Sequence, residues 1–135
     1  MEPSMSATTI AGCLLYSLDP PSLARFYAEL LGWPITEQQA DYQQLAHQGF
    51  ELTLVQVPPA IAARIVLQEP PLPRSDCACK PLFQVDDLAR ARQRAAKAGG
   101  RVYEAEREWQ FKDARACDGI DPEGNIFQLR QPLPR

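Results

Sequence analysis

The sequence predicts an α+β fold in which two βαβββ modules pair around a shared cavity. Two matched sets of residues carry this prediction. Asp19 and Asp87 each precede a stretch with helical periodicity, and Gly32 and Gly100 each close it at the same spacing. Gly49 before Phe50-Glu51-Leu52-Thr53-Leu54 is echoed by Gly124 before Asn125-Ile126-Phe127-Gln128-Leu129. Internal repetition of this kind constrains a whole architecture, so it ranks ahead of any single element. A half of this size cannot bury both faces of its own sheet, which is why the two are expected to face a common cavity.

Residues 1–7 are expected to fray. Thr8 to Ser17 alternates as a strand, with Cys13 and Leu15 on one face and Gly12, Leu14 and Tyr16 on the other. Asp19 is an N-cap and Pro20-Pro21 opens a helix, expected over Pro21 to Leu31. Leu23, Phe26, Tyr27, Leu30 and Leu31 form its apolar stripe. Short strands follow over Trp33 to Ala40 and Asp41 to His47, and Gln48-Gly49 turns the chain into Phe50 to Val57. There Leu52 and Leu54 point inward, opposite Glu51, Thr53 and Val55.

Module one thus runs over about 8–57. A proline-rich linker over about 58–76 divides the halves, with one helical turn at Ala60 to Arg64 and a short extended piece at Ile65 to Leu67. Module two, about 77–131, opens with a strand over Cys79 to Val85. Leu88, Ala91, Ala95 and Ala98 then stripe a helix over Asp87 to Gly99, stopped by Gly99-Gly100. Arg101 to Glu106, Lys112 to Cys117 and Ile126 to Arg130 read as strands, with Trp109 in a loop. Asp121-Pro122-Glu123-Gly124-Asn125 is turn chemistry, and Asp118, Asp121 and Glu123 read as solvated residues around it.

The whole is one domain of 135 residues, 45% apolar and 23% charged, with net charge -3. No basic run is present, which excludes a nucleic-acid surface. No apolar run approaches a membrane span and no export signal opens the chain, so the expected location is cytoplasmic. In that compartment Cys13, Cys77, Cys79 and Cys117 are expected as free thiols. With a single histidine and no second cysteine pair, a structural zinc site is not expected.

Ile10 to Trp33, with Asp19, Phe26-Tyr27 and Leu31-Gly32-Trp33, resembles the first module of the glyoxalase, bleomycin-resistance and extradiol-dioxygenase superfamily, the vicinal oxygen chelate fold. Phe83-Gln84-Val85-Asp86-Asp87-Leu88 and Asp121-Pro122-Glu123-Gly124-Asn125 resemble its second module. The resemblance spans about Thr8 to Gln131. It implies modules that curl into a curved mixed sheet around the cavity, and frequently a homodimer. Exposed strand edges and an apolar helix face point the same way.

Metal-dependent members of that superfamily hold a divalent ion with His, Glu or Gln from both modules. The matching positions here are Gly12, Thr53, Lys80 and Gln128. Glycine offers no donor and an ammonium cannot ligate a cation, so the expectation is no metal and no cofactor. His47 matches none of these positions and reads as an exposed turn residue.

What remains is a small-molecule site. Leu14, Tyr16, Thr53, Lys80, Leu82, Gln84, Ile126, Gln128 and Arg130 are placed on the cavity face, with Trp109 at its mouth. The candidate ligand-binding residues are therefore Tyr16, Thr53, Lys80, Gln84, Trp109, Gln128 and Arg130. Lys80 and Arg130 favour an anionic group, although Lys80 reads equally as a side chain snorkelling to solvent. Trp109 either stacks on a ligand or lids the core. Cys117 lacks a histidine to activate it and reads as apolar filler.

The function expected is metal-free binding of a small organic molecule between the modules. The alternatives are an enzyme of the same superfamily with a non-standard site, using Lys80 or Tyr16 for proton transfer, and a dimeric interaction module with a vestigial cavity. No catalytic residue stands out.

Overall fold

The computed structural model describes residues 10–67 and 70–134. The segment 1–7 expected to fray, the first two positions of the expected opening strand, and Glu69 of the linker lie outside the described residues. Module one comprises β1 (Ala11–Ser17), α1 (Pro20–Leu31), β2 (Ile35–Gln38), β3 (Tyr42–His47) and β4 (Phe50–Gln56). Its sheet runs β1-β4-β3-β2, with β1 parallel to β4 and the other pairs antiparallel. The connector holds one short helix, α2 (Pro59–Ala62). Module two comprises β5 (Leu82–Gln84), α3 (Leu88–Lys97), β6 (Arg101–Val102), a 3-10 turn at Ala105–Arg107, β7 (Trp109–Phe111), β8 (Ala114–Ile120) and β9 (Ile126–Pro132). Its sheet runs β5-β9-β8-β6, with β7 also paired to β8 and β5 parallel to β9. In both modules the first strand therefore lies parallel to the last.

Local chemistry sets the helix ends. The Asp19 carboxylate accepts from Ser22 N (3.2 Å), and the Asp87 carboxylate accepts from Arg90 N (3.1 Å). Gly32 ends α1 in the left-handed region, at φ 72°, with its N–H donating to Ala28 O. Gly100 is needed for closeness instead, because a Cβ there would sit 2.6 Å from the Phe26 ring. The glycine lets β6 pass directly beneath α1.

Both modules share one core. Leu23, Phe26, Tyr27 and Leu30 of α1 are buried with Leu45, Leu52 and Leu54 of the first sheet and Phe83, Phe127 and Leu129 of the second. The Tyr27 ring lies 5.8 Å from that of Phe83 and 6.0 Å from that of Phe127, so α1 packs on both sheets at once. Each such aromatic or leucine side chain contributes on the order of 2–3 kcal/mol through burial.

Several expectations need correction. Asp121 and Glu123 are buried, not solvated. Asp121 accepts from Tyr27 Oη (2.7 Å), Glu123 N, Asn125 N and Asn125 Nδ2, while Glu123 accepts from Ser17 Oγ (2.5 Å) and Leu18 N (3.0 Å). The turn is capped by the other module. The expected strand over Cys79 to Val85 shrinks to Leu82–Gln84, because Pro81 has no N–H to extend the ladder. The strand expected over Arg101 to Glu106 is only Arg101–Val102, and Trp109 opens β7 instead of lying in a loop. Ile65 to Leu67 forms no strand.

Candidate functional site

In a sheet, residues paired across neighbouring strands share a face. In module two Gln84 pairs with Arg130, Arg130 with Ala116, and Ala116 with Trp109. The adjacent row joins Leu82, Gln128 and Asp118. These rows lie opposite Phe83, Phe127, Leu129 and Cys117, which are buried beneath the helices. Gln84, Trp109, Gln128 and Arg130 thus share one outer face of the second sheet, spread across its strands.

Arg130 is held there from two sides. Its Nε donates to Gln128 Oε1 at 2.8 Å, and its guanidinium lies 4.5 Å from the centre of the Phe111 ring. The stack fixes the guanidinium plane and leaves its terminal nitrogens directed by the pair. A depression of about 670 Å³ is lined by Gln84, Phe111, Lys112, Arg130 and Leu133 among others.

Lys80 precedes β5, but its Nζ reaches Asp118 Oδ2 at 2.8 Å and so joins the same face. The other Asp118 oxygen, Oδ1, is buried and has no hydrogen-bond partner among the described residues. In the sequence Asp118 reads only as a turn acid, and no local pattern marks Phe111. Pairing of β8 with β9 and β7 turns both onto the same outer face as Arg130.

Tyr16 and Thr53 lie elsewhere. Leu14 pairs with Thr53 and Tyr16 with Val55 on the outer face of the first sheet, opposite buried Leu52 and Leu54. Tyr16 lines a separate pocket of about 260 Å³. Within one chain the candidates therefore split between two sheet faces.

The donor set does not fit a metal ion. Gly12 is tight against its parallel neighbour, so a Cβ there would collide with the Glu51 carbonyl oxygen. Thr53 and Gln128 belong to different sheets, and Lys80 adds a positive charge beside the second. Among the described residues no group of three or more His, Cys, Asp or Glu comes together.

His47 is exposed beside the β3–β4 turn, with its ring stacked on Trp33 at 5.4 Å. Cys117 is buried, its Sγ donating to Tyr103 O at 3.4 Å. Burial pushes its thiol up, against the opposing pull of Arg92, so it stays protonated and fills space. All four cysteines are free. No helix among the described residues is long and apolar enough to cross a membrane.

The profile of the glyoxalase-like domain family matches residues 13–130. Among solved structures, the fold is similar to a glyoxalase/bleomycin resistance protein/dioxygenase family enzyme from Burkholderia phytofirmans PsJN. The two share 16% identity with a TM-score of 0.69, covering 93% of this chain and 99% of that one. It is also similar to an antibiotic binding protein from Streptomyces sp. CB03234, at 22% identity and TM-score 0.62 over 95% and 98% of the two chains. A bleomycin resistance determinant encoded on the transposon Tn5 matches at 22% identity and TM-score 0.60, over 93% and 98%. At such identities these likenesses speak for the fold alone. Among proteins of curated function none matches the sequence.

Proposed function

The chain belongs to the glyoxalase-like domain family, and we propose that it is a metal-free binding protein for a small organic molecule. The ligand lies against the outer face of the second sheet. The observation that carries this reading is the shared face of Gln84, Trp109, Gln128 and Arg130, with Gln84 and Arg130 lining its depression and Arg130 oriented by Gln128 and Phe111. An aromatic surface with a few fixed polar groups is the usual make-up of a small-molecule site. Arg130 favours a ligand with an anionic or strongly accepting group. The antibiotic binding protein and the bleomycin resistance determinant of similar fold support a sequestering role.

Tyr16 and Thr53 join such a site only if a second chain brings its first sheet over this face. The reading therefore includes a homodimer, with ligand held between the outer faces of two copies. Lys80 spends its ammonium on Asp118 and Tyr16 lies on the other sheet. That separation gives the proton-transfer alternative no support.

Differential scanning fluorimetry against a panel of antibiotics and metabolites tests the reading. A ligand should raise the melting temperature in a saturable way. Arg130→Ala and Trp109→Ala should each reduce that rise. A ligand whose stabilising effect is untouched by both substitutions would defeat the assignment.

A further inference from the structure

The smaller pocket, of about 260 Å³, lies where the connector leaves the first module; it shares Tyr16, but no residue of the second sheet, with the site proposed above. Val57 and Pro58 follow β4, Ile61 belongs to α2, and Ile65 lies just beyond it; together they give the pocket an apolar lining. Tyr16, Arg74 and Glu123 supply its polar groups.

Arg74 is anchored before any ligand arrives. Its backbone N–H donates to Gly124 O at 2.9 Å, and its side-chain Nε donates to Glu123 O at 3.1 Å. The terminal guanidinium nitrogens make no hydrogen bond or ion pair among the described residues. Glu123, the acid in the pocket wall, forms no ion pair with them. Its carboxylate is taken up by Ser17 Oγ at 2.5 Å, Leu18 N at 3.0 Å and Asp19 N at 3.3 Å. A fixed guanidinium with its fork unspent beside an apolar lining is suited to bidentate capture of a carboxylate.

We infer that this pocket is a second binding site, taking a small hydrophobic monocarboxylate whose carboxylate pairs with Arg74 and whose apolar body lies against Val57, Ile61 and Ile65. Size sets the class. At about 260 Å³, a little under the roughly 300 Å³ at which pockets for drug-sized ligands begin, this one fits an aryl or short aliphatic acid.

The test is a methyl NMR titration of the full chain with benzoate, and with benzyl alcohol as its neutral counterpart. Benzoate should shift the Ile61 and Ile65 methyl signals saturably, and benzyl alcohol should bind about tenfold more weakly or worse. Arg74→Gln should weaken benzoate by a similar factor and remove the preference between the two probes. Ile61→Trp, at a position 51% exposed, should fill the pocket and abolish the shift of the remaining Ile65 methyl signal without needing a core change. Arg130→Ala should leave the Ile61 and Ile65 shifts intact, which separates this site from the ligand face proposed above. Equal binding of the two probes, an Arg74→Gln protein with unchanged benzoate affinity, or shifts lost only in Arg130→Ala would each overturn the inference. Should Arg74→Gln fail to fold, the Ile61→Trp titration decides alone: a retained Ile65 shift there also overturns it.

Discussion

Tyr27 Oη donates a 2.7 Å hydrogen bond to Asp121 Oδ2, joining the helix of module one to the final turn of module two. Both groups are fully buried, so neither can exchange this bond for water. Burial raises the Asp121 pKa, against the bonds from Tyr27, Asn125 and the backbone, which favour the ionised form. A raised folded-state pKa means that the contribution of Asp121 to stability is fully present below its unfolded value. That contribution is lost as pH rises through the folded value. Tyr27 offsets this loss by holding the carboxylate.

Tyr27→Phe should accordingly destabilise the protein by about 1–3 kcal/mol in urea denaturation at pH 7. The cost should shrink as pH falls toward the ordinary carboxylate range, where Asp121 becomes neutral and the bond weakens. A cost that is constant with pH would show that the Tyr27 hydroxyl contributes independently of the charge on Asp121.

Glu108 predicts the opposite pH behaviour. Burial works to raise its pKa, but hydrogen bonds from Arg92 (2.6 Å) and Arg115 (2.9 Å) outweigh it and hold the carboxyl below its usual range. With a depressed folded value, its contribution is present above the unfolded pKa of about 4.3 and is lost as pH falls through the folded one. Glu108→Gln should lower the melting temperature at pH 6–7, and the gap from wild type should close on acidification below about pH 4. A gap that persists in acid would mean that the carboxylate charge is irrelevant to the cluster.

What the sequence reveals of this fold is what local chemistry controls. Asp19 and Gly32 announce α1 because a cap and a left-handed stop act within one turn of the helix. Gln128 and Arg130 are legible as partners on one face because a strand alternates by geometry. Asp121 and Glu123 are not legible as buried, since their donors Tyr27 and Ser17 lie in the other module. Trp109 is likewise misplaced from sequence, because β7 is three residues long and exists only through pairing with β8. For the candidate site, alternation places residues on faces, but only tertiary pairing shows that Tyr16 and Thr53 belong to a different sheet from Arg130.

Dimerisation is expected from the sheet faces left uncovered. Leu14 and Tyr16 on the first sheet are 53% and 63% exposed, and Leu82 and Phe111 on the second are 44% and 39% exposed. Light scattering at micromolar concentration should return twice the chain mass. Leu82→Glu with Phe111→Glu should return the chain mass, because both charges would have to be buried in the interface. A wild-type monomer under these conditions would also remove the means by which Tyr16 and Thr53 reach the ligand face.

Metal binding offers the sharpest separation from metal-dependent proteins of this fold. A divalent ion needs several donors converging on one point, with selectivity set by donor type and geometry. Lys80 places an ammonium beside Asp118, and unit charges 4 Å apart at an effective dielectric of about 20 interact by about 4 kcal/mol, with about twice that repulsion for a divalent ion. Removing Lys80 would free Asp118 but would not supply the missing donors. Restoring a histidine at Gly12 would drive its Cβ into the Glu51 carbonyl oxygen, so the first strand cannot accept a ligand side chain without moving its neighbour. Added Zn, Ni, Mn or Fe should therefore leave the melting temperature unchanged, and Lys80→Ala should not alter that result. Lys80→His with Gln128→Glu should gain at most weak affinity, because Gly12 and Thr53 still contribute little from the other sheet. Elemental analysis that finds one tightly held metal per chain in the wild-type protein would overturn the metal-free assignment and the binding role built on it.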